Sequence, residues 1–535
     1  MPNNYPVISF NAGRLSKKID ARSDIDKYKY GCRELDNFIP LIYGPAERRP
    51  GTKYIDTSAA GARVIPFVYS SSVAYMILLE NIAMYFYYAG ARVLNGATRV
   101  TTVTPYLTAH LPALQYKQNN DLMWITHGSY APYKLSRTSA TAFSLAKIVF
   151  KFGPFMKRND LANDDDVTIT PSVLTGSGTL ASSSAVFQAG HVGALFTVFQ
   201  PRVNTVVTGS KASPATGVVG SSILVEGSFT FTTGGTWEGT VVLERSIDNS
   251  TWEQYRTWTN QAQFTGTEDE NDVYYRINVS AMTSGTIKTT LTVNSSVQQG
   301  IAKITAFTNT KLVSMTVQKA FASTNADVRW AEGSWSDVRG YPKCMTFFEN
   351  RAVFAGSTAE PQTIWLSATD DYEYFFKGTL GDSSFSVTMN SEQRNAIQWI
   401  ASLEALLQGT SAGKWRLRSS SFDEAIKPDN FSIKQQDTRG SKAIQALQVN
   451  DVILFVDPVG RKLRELTLDG GKDKYVAPDL TSLAEDITES GIVAIAHQKN
   501  PDSIVWAVTA DGGLKSMVYE REQQVVAWSQ HPMSD

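Results

Sequence analysis

Short apolar runs recur along this chain about 50 residues apart, and each is followed by a turn and a second strand-like run. The runs centre on six residues, Ile77, Trp124, Val353, Leu406, Leu454 and Trp506. A period near 50 residues is typical of proteins in which each repeat forms one four-stranded propeller blade. The interval between Trp124 and Val353 is more than four times as long as each of the others, which predicts a domain inserted between two blades.

The long interval has its own strand pattern. Residues 205–296 are rich in Thr, Ser, Gly and Val, and in the segment from Val273 to Val279 apolar and polar positions alternate as they do in a half-buried strand. The same alternation occurs around Val241 and around Leu291, and Asp248 begins a turn between strands. We therefore predict an all-β protein: an interrupted β-propeller with an inserted immunoglobulin-like or fibronectin-like β-sandwich and few short helices.

The predicted boundaries follow from this pattern. They are an N-terminal assembly region with the first propeller strands (1–70), a first propeller segment (71–155), connecting strands (156–204), the inserted sandwich (205–296), returning strands (297–338) and a second propeller segment (339–535). Three short helices are expected. One carries the helical face from Ile25 to Leu35 behind a capping box at Ser23, one runs from Glu392 to Ala401, and one runs from Ser482 to Ile487.

The segment from Ala74 to Leu94 is long enough to resemble a membrane span, but Glu80, Asn81 and Arg92 interrupt it. A hairpin that turns at Glu80 and Asn81 fits the sequence better, and we expect no stable membrane insertion.

No catalytic, cofactor-binding or metal-binding constellation is recognisable in the sequence. The five histidines are scattered, and two cysteines provide neither a disulfide framework nor a zinc site. The acidic run Asp164 to Asp166 is expected to be hydrated, with calcium as the lesser alternative. Propellers host glycosidases, which use a pair of carboxylates, so Glu332, Asp337 and Glu360 stay open as catalytic candidates. No motif around these three residues singles them out.

Several long strings of this sequence are distinctive. The N-terminal string is DIDKYKYGCRELDNFIPLIYGPAERRPGTKYI from Asp24. Further strings follow along the chain: RGYPKCMTFFENRAVFAGSTAEPQTIWLSATDDYEYF, GTSAGKWRLRS, VILFVDPVGRKLRELTLD with YVAPDLTSLAEDI, and PDSIVWAVTADGGLKSMVYEREQQVVAWSQH. In content and order these strings resemble the tail nozzle proteins of short-tailed bacteriophages, the family also called tail tubular protein B. The resemblance covers roughly the first 70 residues and the last 200.

The resemblance implies a structural protein of the virion tail, assembled in the bacterial host cytoplasm, with no enzyme activity and no cofactor. It implies a homo-hexamer below a dodecameric tail adaptor, with tail fibres as further partners and double-stranded DNA passing through the lumen without sequence-specific binding. The candidate contacts with neighbouring subunits or the adaptor are Arg33, Arg48, Arg49 and Tyr54.

The charge balance agrees with such a channel, because 50 basic against 51 acidic side chains leave no cationic surplus to hold DNA phosphates. A second function stays open, namely a carbohydrate-binding or glycoside-hydrolysing propeller module with a β-sandwich attachment domain.

Overall fold

The computed structural model describes residues 9–162, 166–391, 393–421 and 423–533, with the side chains of 271 and 272 left aside. It divides into two compact units. The propeller unit consists of the residues up to Lys151 together with those from Arg339 onward, and the insert unit runs from Phe152 to Val338.

Among the described residues, the propeller unit contains six sheets that follow one another along the chain, each built on four antiparallel strands and numbered here as blades 1 to 6. The sheet of blade 1 has a fifth strand, Ala91–Arg92, and the sheet of blade 6 has two more. Blade 1 consists of Arg63–Val68, Ala74–Glu80, Ala83–Tyr88 and Thr101–Val103, and blade 2 of Gln115–Asn119, Leu122–His127, Tyr130–Ser139 and Ala142–Lys147. Blade 3 consists of Cys344–Phe348, Arg351–Ala355, Thr363–Leu366 and Phe385–Thr388, and blade 4 of Ile397–Ser402, Leu406–Thr410, Lys414–Ser419 and Phe431–Asp437. Blade 5 consists of Leu447–Val449, Val452–Val456, Leu463–Asp469 and Lys474–Val476, and blade 6 of Ile492–Gln498, Ile504–Thr509, Leu514–Glu520 and Val525–His531.

Neighbouring blades bury their faces against each other. One apolar cluster joins blades 1 and 2, and others join blades 3 and 4, blades 4 and 5, and blades 5 and 6. The second strands of blades 3 and 5, Arg351–Ala355 and Val452–Val456, are therefore buried at every position. In blade 1 the strand Arg63–Val68 alternates, with Ile65 and Phe67 buried and every second residue exposed. The interrupted propeller predicted from the sequence is present.

The N-terminal residues extend blade 6. The short strands Gly13–Arg14 and Gly31–Cys32 add to its outer edge, where Gly13 pairs in parallel with Trp528. Gly13 has a φ of +66°, and a Cβ atom at this position would lie 2.5 Å from the Trp528 backbone nitrogen. Only glycine allows so close an approach in this conformation.

The insert unit contains a six-stranded sheet and the predicted β-sandwich. In sheet order, the six strands are Ile169–Pro171, Ser177–Ser182, Leu312–Lys319, Val297–Asn309, Leu195–Pro201 and Trp330–Glu332. The sandwich strands are Val206–Ala212, Gly217–Gly234, Trp237–Ser246, Glu253–Trp258 and Gln263–Val293. The alternation that predicted them is confirmed, because Val273, Tyr275, Ile277 and Val279 all lie in the sandwich core.

The predicted hairpin at Glu80 and Asn81 is also confirmed, with strands Ala74–Glu80 and Ala83–Tyr88 on either side. Within the described ranges no helix is long and apolar enough to cross a membrane.

The helices are shorter than predicted. The N-terminal candidate is a 3-10 helix over Asp26–Tyr30, and it stops there because Gly31–Cys32 pair as a strand. The candidate ending at Ala401 is wrong where the structure describes it, since Ile397–Ser402 is the first strand of blade 4; Glu392 lies outside the described residues. The third candidate is a 3-10 helix over Glu485–Thr488. Other short helices are Lys17–Ile19, Thr108–Ala113, Asn159–Ala162 and Ala189–His191.

A buried arginine holds the long loop of blade 3, residues 367–384. Arg351 is 2% exposed, and its Nη1 donates to the Ser367 carbonyl at 2.6 Å and to the Ser383 carbonyl at 2.8 Å. Its Nη2 donates to the Gly381 carbonyl at 2.6 Å. One side chain therefore ties both ends of the loop to the blade through backbone acceptors, and burial lowers its pKa.

A buried charge cluster lies where the sandwich meets the six-stranded sheet. Glu226 of the sandwich accepts from Lys319 at 2.6 Å and from Arg202 at 3.3 Å. The side chains of Lys319 and Arg202 are only 1% and 2% exposed. Loss of one partner from a buried charge cluster is costly, because the remaining charge loses its compensation without regaining water.

We expect Glu226→Gln to lower the unfolding free energy of the insert unit by about 3 kcal/mol, because it removes the negative charge that both buried cations contact. Urea unfolding of the full chain, followed by circular dichroism, measures the change. Glu238→Gln, on the exposed sandwich surface, is the matched control and should change stability by less than about 0.5 kcal/mol. Equal losses in the two variants would contradict the role of Glu226.

Candidate functional site

The candidate site is the N-terminal segment, residues 9–52, which lies along blade 6. Its hairpin pairs Phe38–Pro40 with Ala46–Arg48. Ile39 of the hairpin packs into an apolar cluster with Ile504 and Val518 of blade 6. Two further contacts fix its position, because Arg14 forms an ion pair with Asp486 at 2.8 Å and the Asn37 backbone donates to the Gln530 carbonyl at 2.9 Å.

This docking places Arg48 and Arg49 in the walls of two clefts. The first arginine cleft, about 510 Å³, also includes Asn37, Thr52 and Met533. The second arginine cleft, about 350 Å³, also includes Glu47, Asp502 and Trp506. Pro50 lines both clefts.

The two arginines differ in their surroundings. Arg48 is exposed, whereas Arg49 is half-buried and donates from Nη2 to the Asn37 side chain at 3.4 Å and from Nη1 to the Pro50 carbonyl at 3.3 Å. Among the described residues neither arginine has an ion-pair partner, and Nε of Arg49 is buried without an acceptor. Both guanidinium groups therefore keep donors for a carboxylate supplied from outside the chain.

Arg33 and Tyr54 lie elsewhere. Arg33 forms an exposed ion pair with Asp20 at 2.5 Å, so its charge is already compensated within the chain. Tyr54 is 77% exposed, and its hydroxyl is 2.6 Å from the Thr57 hydroxyl. The structure thus brings together Arg48 and Arg49 of the four candidates, while neither Arg33 nor Tyr54 lines the two arginine clefts.

Asp56, which the sequence analysis does not single out, holds the segment that carries Tyr54 in place. Its carboxylate is 9% exposed and accepts from Arg92, from Arg99 at 3.1 Å and from the Tyr87 hydroxyl at 2.6 Å. The hydrogen bond from Arg92 is the main reason that the pKa of Asp56 lies well below its usual range. No local motif marks this residue, because its partners lie 31 to 43 positions away.

The three candidate glycosidase carboxylates, Glu332, Asp337 and Glu360, do not line the arginine clefts. Glu332 is buried and accepts from Nε2 of His191 at 2.8 Å, while Nδ1 of His191 accepts from the Gln188 backbone at 3.0 Å. Glu332 and Asp337 belong to the insert unit and Glu360 to the propeller unit. Asp164 and Asp165 lie outside the described residues, and the residues that are described contain no cluster suited to a metal ion.

Behind the second arginine cleft lies a buried histidine. His531 is 5.2 Å from the Trp506 ring, and its Nε2 is 2.8 Å from the Ser516 hydroxyl. Burial, and then the charges of Arg49 and Lys515, lower the pKa of His531 to about 4.

Comparison with known proteins adds little. No family model and no curated protein matches the chain. A solved structure titled "NanB plus Optactamide" is 11% identical, with 86% of this chain and 83% of that chain covered and a TM-score of 0.24. A superposition of that quality establishes no shared function.

The shifted histidine generates a pH prediction. A histidine in the unfolded chain has a pKa near 6.5, whereas the pKa of folded His531 is about 4. As the pH falls, the unfolded chain therefore binds a proton first and is stabilised relative to the folded chain. The stability contributed by neutral His531 is complete above about pH 6.5 and is lost as the pH falls to about 4. Between about pH 7 and about pH 4.5, we expect the wild type to lose about 2 kcal/mol more unfolding free energy than His531→Gln.

Urea unfolding of both proteins at the two pH values measures this difference. Other titrating groups, including His127 with its pKa also lowered to about 4, cancel in the comparison. Parallel pH dependence in the two proteins would contradict the assignment to His531.

Proposed function

We propose that this protein is a structural subunit of the tail nozzle of a short-tailed bacteriophage. Six copies form a ring below a dodecameric adaptor, with tail fibres attached, and the phage genome leaves through the channel. The protein acts in the virion tail after assembly in the host cytoplasm. The observation that carries the proposal is the ordered series of nozzle-like strings along the N-terminal segment and blades 3 to 6.

The arginine clefts support an assembly role. Arg48 and Arg49 present charged donors without an ion-pair partner among the described residues, and the aromatic ring of Trp506 lies in the second cleft. Bidentate arginine–carboxylate pairs combine energy with directional specificity, and arginine and tryptophan are enriched among the residues that dominate interfaces. An acidic segment of a neighbouring subunit fits these clefts.

Exposed apolar side chains in the first 103 residues of the propeller unit support the same role. Tyr43, Tyr54 and Val103 are 86%, 77% and 79% exposed, and Ile55 is about half exposed. Large side chains at such exposure are common where protein surfaces meet a partner.

DNA passage requires weak binding. Each phosphate contact from a lysine or arginine adds to the affinity, so a cationic lining would retain the genome. The nearly equal numbers of basic and acidic side chains leave no such surplus.

The alternative function, a carbohydrate-binding or glycoside-hydrolysing module, has one observation in its favour. An aromatic cleft with several polar side chains lies between blades 2 and 3.

The first test is the double variant Arg48→Ala with Arg49→Ala. We expect ring formation to fall at least about tenfold, because each lost interface arginine commonly costs more than about 1 kcal/mol. Negative-stain imaging and light scattering of the purified full chain measure ring formation, and an unchanged melting temperature shows that the monomer is folded.

The control is Arg22→Ala with Arg461→Ala, which removes two exposed arginines that already have partners within the chain, Asp24 and Glu489. This control should assemble normally. Normal assembly of the Arg48 and Arg49 variant as well would refute the assembly role of the clefts.

The second test concerns the channel. In a reconstruction of the assembled ring, side chains facing the axis should carry a neutral to negative total charge, and the opening should admit a DNA duplex. A clearly positive lumen, or a ring closed in every state, would contradict passive DNA passage and favour the carbohydrate alternative.

A further inference from the structure

The cleft between blades 2 and 3 has a volume of about 390 Å³, within the range of roughly 300–1,000 Å³ typical of small-molecule sites. Blade 2 contributes the turn at Asn119 and Asn120 and the following strand. Blade 3 contributes the segment around Tyr372, on the long loop that Arg351 holds in place. The cleft is separate from both arginine clefts.

Aromatic rings form one side of its wall. Trp124 lies edge-on to Phe347 with ring centres 4.9 Å apart, and Tyr372 lies 5.0 Å from Phe347 and 6.0 Å from Trp124. Trp124 is only 2% exposed, so its ring is fixed by packing, whereas Tyr372 is half-buried. The cleft therefore has a rigid aromatic wall with one accessible ring.

The indole of Trp124 forms a fixed part of the cleft wall. Its Nε1 is buried and has no partner among the residues that the structure describes. Buried indole N–H groups usually find an acceptor, and leaving one unpaired costs about 1–3 kcal/mol. Because this nitrogen is closed off from solvent, a ligand in the cleft cannot reach the N–H, and the indole contributes only a fixed packing surface to the wall.

The charged groups of the cleft compensate one another. Asp121 pairs with Arg137 at 2.9 Å, Asp371 with Lys151 at 3.1 Å, and Glu373 with Lys134. A carboxylate has about four acceptor positions, so each keeps acceptors after its cation is bound. Balanced charge with spare acceptors disfavours an anion or a cation and favours an uncharged ligand with several hydroxyl groups.

We propose that this cleft binds a neutral saccharide. The apolar face of a pyranose ring lies against Tyr372, sugar hydroxyls donate to the carboxylates of Asp121 and Glu373, and the side chain of Asn120 supplies an amide. The aromatic wall and the polar groups that converge on the cleft together give the pyranose ring a defined orientation. The proposal rests on the alternative carbohydrate-binding function given above and makes it specific, because it names the cleft and a neutral saccharide that is bound without bond cleavage. It does not depend on the nozzle function.

The test uses the purified full chain and the methyl glycosides of glucose, galactose, mannose and N-acetylglucosamine. Saturation-transfer NMR and calorimetry should detect at least one of them with a Kd on the order of 1 mM. Tyr372→Ala should weaken that binding at least tenfold, because it removes the accessible ring against which the sugar packs.

Two more variants separate binding from folding. Asn120 has a φ of +50°, so Asn120→Gly removes the amide without backbone strain and should weaken binding about threefold. Tyr43→Ala removes an exposed tyrosine outside the cleft and should leave binding unchanged.

Three results would overturn the proposal. The first is no binding of any probe at about 20 mM, and the second is binding that Tyr372→Ala and Asn120→Gly both leave intact. The third is tighter binding of a charged probe, N-acetylneuraminic acid or a heparin disaccharide, than of every neutral one. A nozzle ring that assembles normally in the Tyr372→Ala variant leaves the saccharide proposal unaffected, because the two activities use different clefts.

Discussion

Burial of both faces of each inner sheet is the constraint on which the propeller depends. A four-stranded sheet between two neighbours has no solvent face, so Arg351–Ala355 and Val452–Val456 are buried throughout. Blade 1 has an exposed face, and its first strand alternates instead. The side chains of the central strands are therefore used for packing between blades. The side chains that can bind a partner lie in turns, in loops and in the N-terminal segment along blade 6.

Buried charges join regions of the fold that are distant in sequence. Glu226 links the sandwich to Lys319 and Arg202 of the neighbouring strands and loops, and Asp56 links the segment after the arginine clefts to blade 1. Such groups add specificity of position more readily than stability, because desolvation offsets much of their attraction. They determine where the segments lie, whereas apolar packing provides most of the folding free energy.

Patterns that repeat locally could be predicted from the sequence, and contacts between distant residues could not. The blade spacing, the turn after Glu80 and the alternation from Val273 to Val279 each reflect near neighbours on a strand. The region before Ala401 contains good helix formers, yet Trp399 and its neighbours are buried in a sheet, so tertiary packing overrides local propensity.

The candidate sites were harder to predict from the sequence than the fold. Arg48 and Arg49 stood out because they adjoin a Pro-Gly turn, but their clefts depend on blade 6, whose residues lie about 450 positions away. The Trp124 cleft needs Tyr372, almost 250 positions further along the chain. Sequence spacing carries no signal for either pairing.

The Arg351 clamp has a consequence for how this protein can change over generations. Its acceptors are backbone carbonyls of Ser367, Gly381 and Ser383, which every amino acid provides. The side chains between them that are not buried, including Tyr372, can therefore be exchanged by mutation while the loop stays in place. Natural variants of this chain can diversify what the loop presents without having to evolve a new scaffold for it.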